Sequence, residues 1–428
     1  MRAPYARWVW LPLVAAVSVA AAPRGESLID AVKNDDAAAV RAALRQPGAV
    51  NAAEVDGTTA LHWAVDRDDL AVVDTLIAAG ADVKAANRYG VTPLSQACEN
   101  GNAAIIERLL KAGASANMAL PGGETALMTA SRTGDVPSIK VLLAHGADVQ
   151  ARSDEWSQVM AVVPHGLPIY NRAIPHGGET ALMFAARVGD LASARLLVAA
   201  GANVNDADAW GVSATVLAEH SGYAELAAFL LDHGADPNAA KAGFSALHEA
   251  IMRRDEKMVA ALLAHGADPN APLRTWTPTR RDSQDFHFGP ELVGASPLWL
   301  AARFSEPNVM RLLVAQGADP LFVHHADYYA GARGERRTEV TTVLMAATGM
   351  SAGTPWVPLD RGAREALALD AVTLALERGV DLNAANTDGR TALDAARALK
   401  DDTVVAFLIA KGARPGVTTK ERRAPSEN

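Results

Sequence analysis

The amino-acid sequence predicts an all-α fold, a solenoid of stacked helix-turn-helix units with four inserted loops. The first observation is an internal repeat, because GETALMTASRTGDVPSIKVLLAHGADV at 123–149 returns as GETALMFAARVGDLASARLLVAAGANV at 178–204. The second is a fixed spacing, because in eight of nine marked units a Thr or Ser is followed by a Gly 21 residues later, and the basic period is 33. The third is that apolar residues recur at helical spacing between these markers. Helices this short are not stable alone, so each unit must bury its apolar face against its neighbours.

Each unit begins and ends at residues that favour helix termini. Thr or Ser is a good N-cap, and Thr92-Pro93 and Ser296-Pro297 add a proline at the first helical position. A break such as Asn100-Gly101 separates the first helix from the second. The Gly of the Gly-Ala-Asp motif then ends the second helix as a C-cap. The pattern predicts two short helices in every unit.

The repeated unit resembles the ankyrin repeat. The resemblance is carried by GVTPLSQACENGNAAIIERLLKAGASAN at 90–117 and GFSALHEAIMRRDEKMVAALLAHGADPN at 243–270, and it extends over about residues 26–415 as about ten repeats. One unit departs from the pattern, with Thr215 in place of Leu and Val216 where His62 and His248 stand in their units. The resemblance implies a curved stack whose inner helices and fingers form a concave face that binds a protein or peptide partner.

The first residues have the order of a secretory signal peptide. Arg2 and Arg7 precede an apolar run from Trp8 to Ala22, and small residues suited to cleavage lie near its end. About fifteen apolar residues interrupted by Pro12 fall short of the roughly 20 that span a bilayer. We therefore predict a signal peptide at 1–22 and no membrane span after its removal. The Ala-rich composition indicates a bacterial source with a GC-rich genome, which would place the mature chain in the periplasm or outside the cell.

Composition supports a large core and excludes some functions. The chain has 428 residues, 50% of them apolar, and a solenoid enlarges its core without dividing into globular domains. A formal charge of -9 argues against nucleic acid as a general partner, since binding to phosphates needs a basic stripe. Cys98 is the only cysteine, so no internal disulfide can form, and it is interpreted as a buried structural thiol. We expect a monomer.

Four insertions interrupt the period. Three fall at finger positions, near 151–177, 271–295 and 321–341, and the fourth, near 350–364, lies between the two helices of one unit at the opposite end of the helices. The segment 416–428 is read as a disordered tail. Insertions in loops are tolerated energetically, so their length alone says little.

The composition of the insertions says more, because they carry nine of the 22 aromatic residues. Aromatic and arginine side chains are typical anchors of interfaces. Two interpretations stay open, since the aromatic residues either bind a partner or pin the loops to the solenoid. Inner-helix residues such as Trp63, Phe184, Glu249 and Trp299 would form the floor of the groove. The candidate partner-binding residues are Trp156, Tyr170, Trp276, Arg280, Arg281, Phe286, His287, Phe288, Tyr328, Tyr329, Arg336 and Arg337.

Evidence for chemistry in the sequence is weak. Residues 349–353 match G-x-S-x-G around Ser351, but a nucleophile elbow needs a preceding strand, and the pattern here predicts a helix. His324, His325 and Asp327, with His287, are a possible metal cluster without a specified fourth ligand. No catalytic residues, cofactor or metal ligands are assigned. The sequence favours a non-enzymatic binding scaffold, and the alternative is an exported metal-binding protein or enzyme with a site built from the insertions.

Overall fold

Twenty α-helices and two β-hairpins make up most of the part of the chain described by the computed structural model, which covers residues 27–160, 172–277, 287–330, 334–353 and 355–417. The chain divides into two units, 1–93 and 94–428. The predicted signal peptide at 1–22 and residues 418–428 of the predicted tail lie outside the described residues. Among the described helices, none is long and apolar enough to cross a membrane.

The first unit contains two helix pairs. Ser27 and Asp36 cap the first two helices by accepting hydrogen bonds from backbone N–H groups of the first turn. The core of this unit is built from side chains such as Leu61, Val73 and Leu76, which are fully buried. Its helices are α1 Leu28–Lys33, α2 Ala37–Ala43, α3 Ala60–Asp66 and α4 Leu70–Ala78, with a short 3-10 turn at Ala49–Asn51.

The second unit contains sixteen helices among its described residues, arranged in two layers. Successive first helices pack on one another from α7 to α19, and successive second helices from α6 to α20. The first helices are α5 Pro93–Asn100, α7 Ala126–Thr133, α9 Ala181–Val188, α11 Ala214–His220, α13 Ala246–Met252, α15 Pro297–Arg303, α17 Val343–Ala347 and α19 Ala392–Leu399. The second helices are α6 Ala103–Lys111, α8 Val136–Ala144, α10 Leu191–Ala199, α12 Ala224–Asp232, α14 Glu256–Ala264, α16 Pro307–Ala315, α18 Arg361–Glu377 and α20 Asp402–Ala410.

The helix termini follow the predicted capping chemistry. The hydroxyl of Ser213 accepts a hydrogen bond from the N–H of Val216, and Pro297 is the first residue of α15 after its N-cap Ser296. Gly146 follows α8 with a φ of 78°, a left-handed conformation that favours glycine. The prediction of two capped helices per unit is confirmed at these positions.

Asparagine side chains connect successive fingers of the second unit. The Asn238 side-chain amide donates to the Gly266 carbonyl oxygen at 2.9 Å, and its oxygen accepts from the Asp268 N–H at 2.7 Å. Asn270 makes the same two bonds, to Gly317 at 2.9 Å and from Asp319 at 2.8 Å, although 47 residues separate it from Gly317. The stack therefore stays in register because the insertion after Asn270 loops out of it.

The finger insertions are built as antiparallel hairpins where the structure describes them. Strands β1 Trp156–Met160 and β2 Arg172–His176 pair with Trp156 opposite His176. Strands β3 Val323–Ala330 and β4 Glu335–Thr342 pair with Val323 opposite Thr342. In the insertion at 271–295, Thr277 donates its N–H to the Phe288 carbonyl oxygen at 3.0 Å and accepts the Phe288 N–H on its hydroxyl at 2.8 Å. These contacts fold each insertion back toward the helices.

Candidate functional site

A cavity of the second unit lies between the fingers and the first helices. It has a volume of about 660 Å³ and is bounded by finger residues on one side and by α9, α11 and α13 on the other. The β1–β2 hairpin contributes Trp156, Ile174, Pro175 and His176, and the helices contribute Phe184, Arg187, Val216, Leu217, His220 and Glu249. We call this space the inner-helix cavity.

Aromatic rings form much of the wall of the inner-helix cavity. The Trp156 ring stacks on His176 with centroids 4.3 Å apart and an interplanar angle of 21°, yet Trp156 is 56% exposed. In the same lining, the rings of Trp210 and Phe244 meet edge to face at a centroid distance of 5.8 Å. A half-exposed tryptophan face on a cavity wall is an available contact surface, since large aromatic side chains are otherwise covered on folding.

The aromatic wall continues into the insertions at 271–295 and 350–364. The Phe288 ring lies 5.4 Å from Phe244 and 5.1 Å from Trp356, whose ring in turn lies 6.0 Å from His220. The indole N–H of Trp356 donates to the carbonyl oxygen of His287 at 2.7 Å. The insertion at 350–364 was expected at the opposite end of the helices. In the structure it reaches across to the finger insertion, because its tryptophan packs on Phe288.

Carboxylates outnumber basic groups in the cavity lining. Five carboxylates line the cavity, and Arg187 is the single Arg or Lys of the lining in the part of the chain that the structure describes; the carboxylates are those of Glu124, Asp154, Glu179, Asp208 and Glu249. Arg187 forms a salt bridge with Glu179, and its guanidinium lies 6.0 Å from the centroid of the Phe184 ring. The cavity is therefore acidic as well as aromatic.

Burial and charge crowding perturb these carboxyl groups. Burial raises the pKa of Glu179, Arg187 lowers it, and the negative charges of Asp208 and Glu124 raise it. Burial also raises the pKa of Asp208, while hydrogen bonds from backbone N–H groups, including that of Val212 at 2.8 Å, act in the opposite direction. An additional positive charge close to these carboxyl groups would therefore stabilise their ionised form.

Glu249 provides a polar group on the cavity floor. It is buried on α13, and its Oε2 lies 3.1 Å from the Nδ1 of His220 on α11. Burial raises the pKa of Glu249, and the hydrogen bond with His220 lowers it. This pair connects two neighbouring repeats directly beneath the aromatic wall.

The predicted partner-binding residues separate into two groups by exposure. Trp156 lines the cavity and is exposed, whereas Phe288 is 0% and Tyr328 is 5% exposed. A ring that binds a partner must be accessible, and the rings of Phe288 and Tyr328 are buried. Phe288 packs in the aromatic wall described above, and the Tyr328 hydroxyl donates to Glu339 at 3.1 Å. Phe288 therefore supports the aromatic wall, and the Tyr328 hydroxyl bonds within its own β3–β4 hairpin.

The remaining candidates are more scattered. Trp276, His287 and Tyr329 are partly exposed, and Arg336 and Arg337 are exposed on β4. Arg336 is paired with Asp327 through two hydrogen bonds of 2.8 and 2.6 Å. The last four candidates lie outside the described residues: Tyr170, Arg280, Arg281 and Phe286.

The histidine pair of β3 does not converge. His324 is buried, its ring lies 4.3 Å from that of Trp299, and its Nε2 lies 3.0 Å from the Val293 carbonyl oxygen, whereas the neighbouring His325 is exposed. Adjacent residues of a strand point to opposite faces, which explains the difference. Within the described parts of the chain, no three His, Cys, Asp or Glu side chains are grouped so that they could hold a metal ion.

Two further sequence features have structural explanations. Ser351 follows α17 rather than a strand, it has a φ of 84°, and its buried hydroxyl has no hydrogen-bond partner among the described residues. This is not the strand-turn-helix geometry of a nucleophile elbow. Cys98 is buried, and burial raises the pKa of its thiol, so the unreactive interpretation agrees with its environment.

Several cavity residues were missed by sequence reasoning. Trp210, Phe244 and Asp208 lie in fingers of ordinary length, and Glu179 precedes the N-cap Thr180. Alignment of the units by position gives a usable signal, because the residue before each N-cap is Glu124, Glu179, Val212 or Phe244 in four consecutive units, and all four line the cavity. These four positions lie outside the insertions, so the aromatic composition of the insertions does not indicate them.

Comparison with known families gives one consistent result. A family model described as ankyrin repeats in three copies matches residues 73–153, 113–208, 156–241 and 182–272, and a model of the single ankyrin repeat matches 56–88 and 293–325. The two models together span more than half of the chain and indicate no catalytic family. The crystal structure of the human ASB11 ankyrin repeat domain is similar to 61% of this chain and 100% of that chain, with 24% identity and a TM-score of 0.44. No curated protein matches the sequence.

Proposed function

The chain belongs to the ankyrin-repeat family, and from that premise we propose that it is a non-enzymatic scaffold that binds a protein or peptide partner in the inner-helix cavity. The observation that carries the proposal is the half-exposed Trp156 face on the wall of a cavity of about 660 Å³. Buried aromatic anchors contribute most of the binding free energy in many interfaces. A cavity that already presents such a face is the best-supported place for a partner to dock.

The two interpretations of the insertions both apply, to different residues. Phe288 and Trp356 support the wall from behind, since Phe288 has no exposed surface and Trp356 contacts the backbone of His287. Trp156 and Phe184 face the cavity and are available to a partner. In this proposal the insertion at 151–177 supplies the anchor Trp156, α9 supplies the anchor Phe184, and the insertions at 271–295 and 350–364 support the wall.

We assign the protein to the bacterial envelope, as periplasmic or secreted, on the signal-peptide pattern of residues 1–22. N-terminal sequencing of the protein from its native host tests this assignment. The expected N-terminus lies near residue 21 to 23. A chain that retains Met1 in a soluble cytoplasmic fraction would remove the assignment.

The binding function is tested by capture from an extract of the native envelope. The wild-type chain is compared with Trp156→Ala/Phe184→Ala and with a matched control, Tyr223→Ala/Phe407→Ala, which removes two partly exposed aromatic rings outside the cavity lining. We expect one set of proteins to be retained by the wild type and the control and lost by the cavity variant. Equal capture by all three chains would place binding elsewhere.

A further inference from the structure

The aromatic faces of the inner-helix cavity favour a positively charged ligand. An aromatic ring has a negative face that attracts an ammonium or guanidinium group within about 6 Å of its centroid. Trp156, Phe184 and Trp210 all line the cavity and are only partly covered. Tryptophan is the strongest of the aromatic residues in this respect, and two tryptophans line this cavity.

The charge of the lining points in the same direction. Among the described residues of the lining, five carboxylates accompany one arginine, Arg187, and the chain as a whole carries a formal charge of -9. Asp208 and Glu124 lie close enough to Glu179 for their negative charges to raise its pKa. An acidic concave surface attracts a basic partner and repels an acidic one.

The chain itself contains an example of the contact. The Arg187 guanidinium forms a salt bridge with Glu179 and lies 6.0 Å from the Phe184 ring centroid. Trp156, Trp210, Asp154 and Asp208 supply further aromatic faces and carboxylates in the same lining. In addition, His176 Nε2 lies in the ring stacked on Trp156 and has no hydrogen-bond partner among the described residues. An N–H donor that enters beside Trp156 would satisfy it.

We propose that the inner-helix cavity recognises an arginine or lysine side chain carried by an exposed, basic segment of a partner protein. The cation lies against the faces of Trp156 and Trp210, and its N–H groups donate to Asp154 and Asp208. The inference rests on the proposed binding function and adds the chemical class of the partner. Arginine fits this arrangement best, because its planar guanidinium stacks on an aromatic face while it donates to a carboxylate.

The test uses the full mature chain and a random dodecapeptide library displayed on phage. Peptides rich in Arg and Lys are expected to be enriched, and the most enriched peptide is synthesised with a fluorescent label for anisotropy. Asp154→Asn/Asp208→Asn should weaken its binding about tenfold or more, since each change removes a charge but keeps the size of the side chain. The amide oxygen that Asp208→Asn introduces can still accept the N–H of Val212, which Asp208 now accepts at 2.8 Å, so the finger turn is kept.

The matched control is Asp381→Asn/Asp402→Asn. It changes the net charge by the same amount, and Asp381, like Asp208, accepts a backbone N–H on its side chain, that of Asn383 at 2.9 Å. Neither residue lines the cavity, so binding should stay within about twofold of the wild type. Replacement of the peptide arginines by citrulline, their neutral analogue, should reduce binding as much as the cavity variant does.

The contrary outcomes distinguish failure of the cation proposal from failure of the binding function. Enrichment of neutral or acidic peptides that are lost with Trp156→Ala/Phe184→Ala would overturn the cation proposal and keep the binding function. Failure to enrich any peptide that depends on these two aromatic residues would overturn both. Competition by N-acetylarginine amide at the affinity of the whole peptide would show a site for a free small cation and would overturn the proposal of a protein segment.

Discussion

Replacement of single aromatic residues separates those that bind from those that support the wall. Phe288 is 0% exposed and packs between Phe244 at 5.4 Å and Trp356 at 5.1 Å. Truncation of a fully buried phenylalanine to alanine costs about 3 to 5 kcal/mol through lost burial and the remaining void. We therefore expect Phe288→Ala to lower the free energy of unfolding by an amount in that range.

Trp156→Ala should show the opposite balance. Because this side chain is 56% exposed, its main folded contact is the stacking on His176, and we expect a loss of about 1 to 2 kcal/mol of stability. Loss of a central aromatic anchor from an interface commonly costs about 2 kcal/mol or more, which is about thirtyfold in the dissociation constant. Phe288→Ala should change that constant less, as long as the chain is folded.

Both quantities are measured on the same preparations. Urea unfolding followed by circular dichroism gives the stability, and fluorescence anisotropy with a captured peptide gives the dissociation constant. The reasoning would be refuted if Trp156→Ala bound as tightly as the wild type. It would also be refuted if Phe288→Ala unfolded at the wild-type urea concentration.

Three further predictions concern stability, each read from the urea midpoint. Asn238→Ala should lower the free energy of unfolding by about 1 to 3 kcal/mol, because it removes the hydrogen bonds to Gly266 and Asp268. An unchanged midpoint would show that these bonds are dispensable. Burial lowers the pKa of His248 from 6.5 to about 4. The unfolded chain therefore binds a proton at a higher pH than the native chain does, and the free energy of unfolding should fall by about 3 kcal/mol as the pH drops from 6.5 to 4. His248→Gln should remove this pH dependence. Burial raises the pKa of Glu219 from 4.5 to about 8, so the native state loses stability as the pH rises through that window. Glu219→Gln should gain up to about 4 kcal/mol at pH 8 and little at pH 4.5, and an equal gain at both values would contradict the burial argument.

The helix termini and the stacking of the units could be predicted, because both depend on residues that lie close together in the sequence. Ser213 caps α11 and Gly146 ends α8 because a hydroxyl acceptor and a left-handed glycine are needed within a few residues of each terminus. The apolar spacing within a unit and the period of 33 then fix the stacking, since only one face of each helix pair can be covered by the next unit.

The cavity could not be predicted in the same way, because its residues come from distant parts of the chain. Trp356 and His287 are 69 positions apart, and their contact depends on how two insertions of different units fold over the first helices. Composition identified the insertions as aromatic, but it could not distinguish the buried Phe288 from the exposed Trp156. That distinction depends on tertiary packing, which buries the Phe288 ring against Phe244 and Trp356 and leaves the Trp156 ring exposed at the cavity.

The central claim is that a partner occupies the inner-helix cavity, and site-specific photocrosslinking tests it most directly. The photoreactive analogue p-benzoylphenylalanine replaces Phe184 on the cavity floor in one chain and Phe407 on α20 in the matched control, both partly exposed phenylalanines. After irradiation in an extract of the native envelope, we predict a crosslinked partner from position 184 that is absent from position 407. A crosslink of equal yield from both positions, or from position 407 alone, would contradict the account.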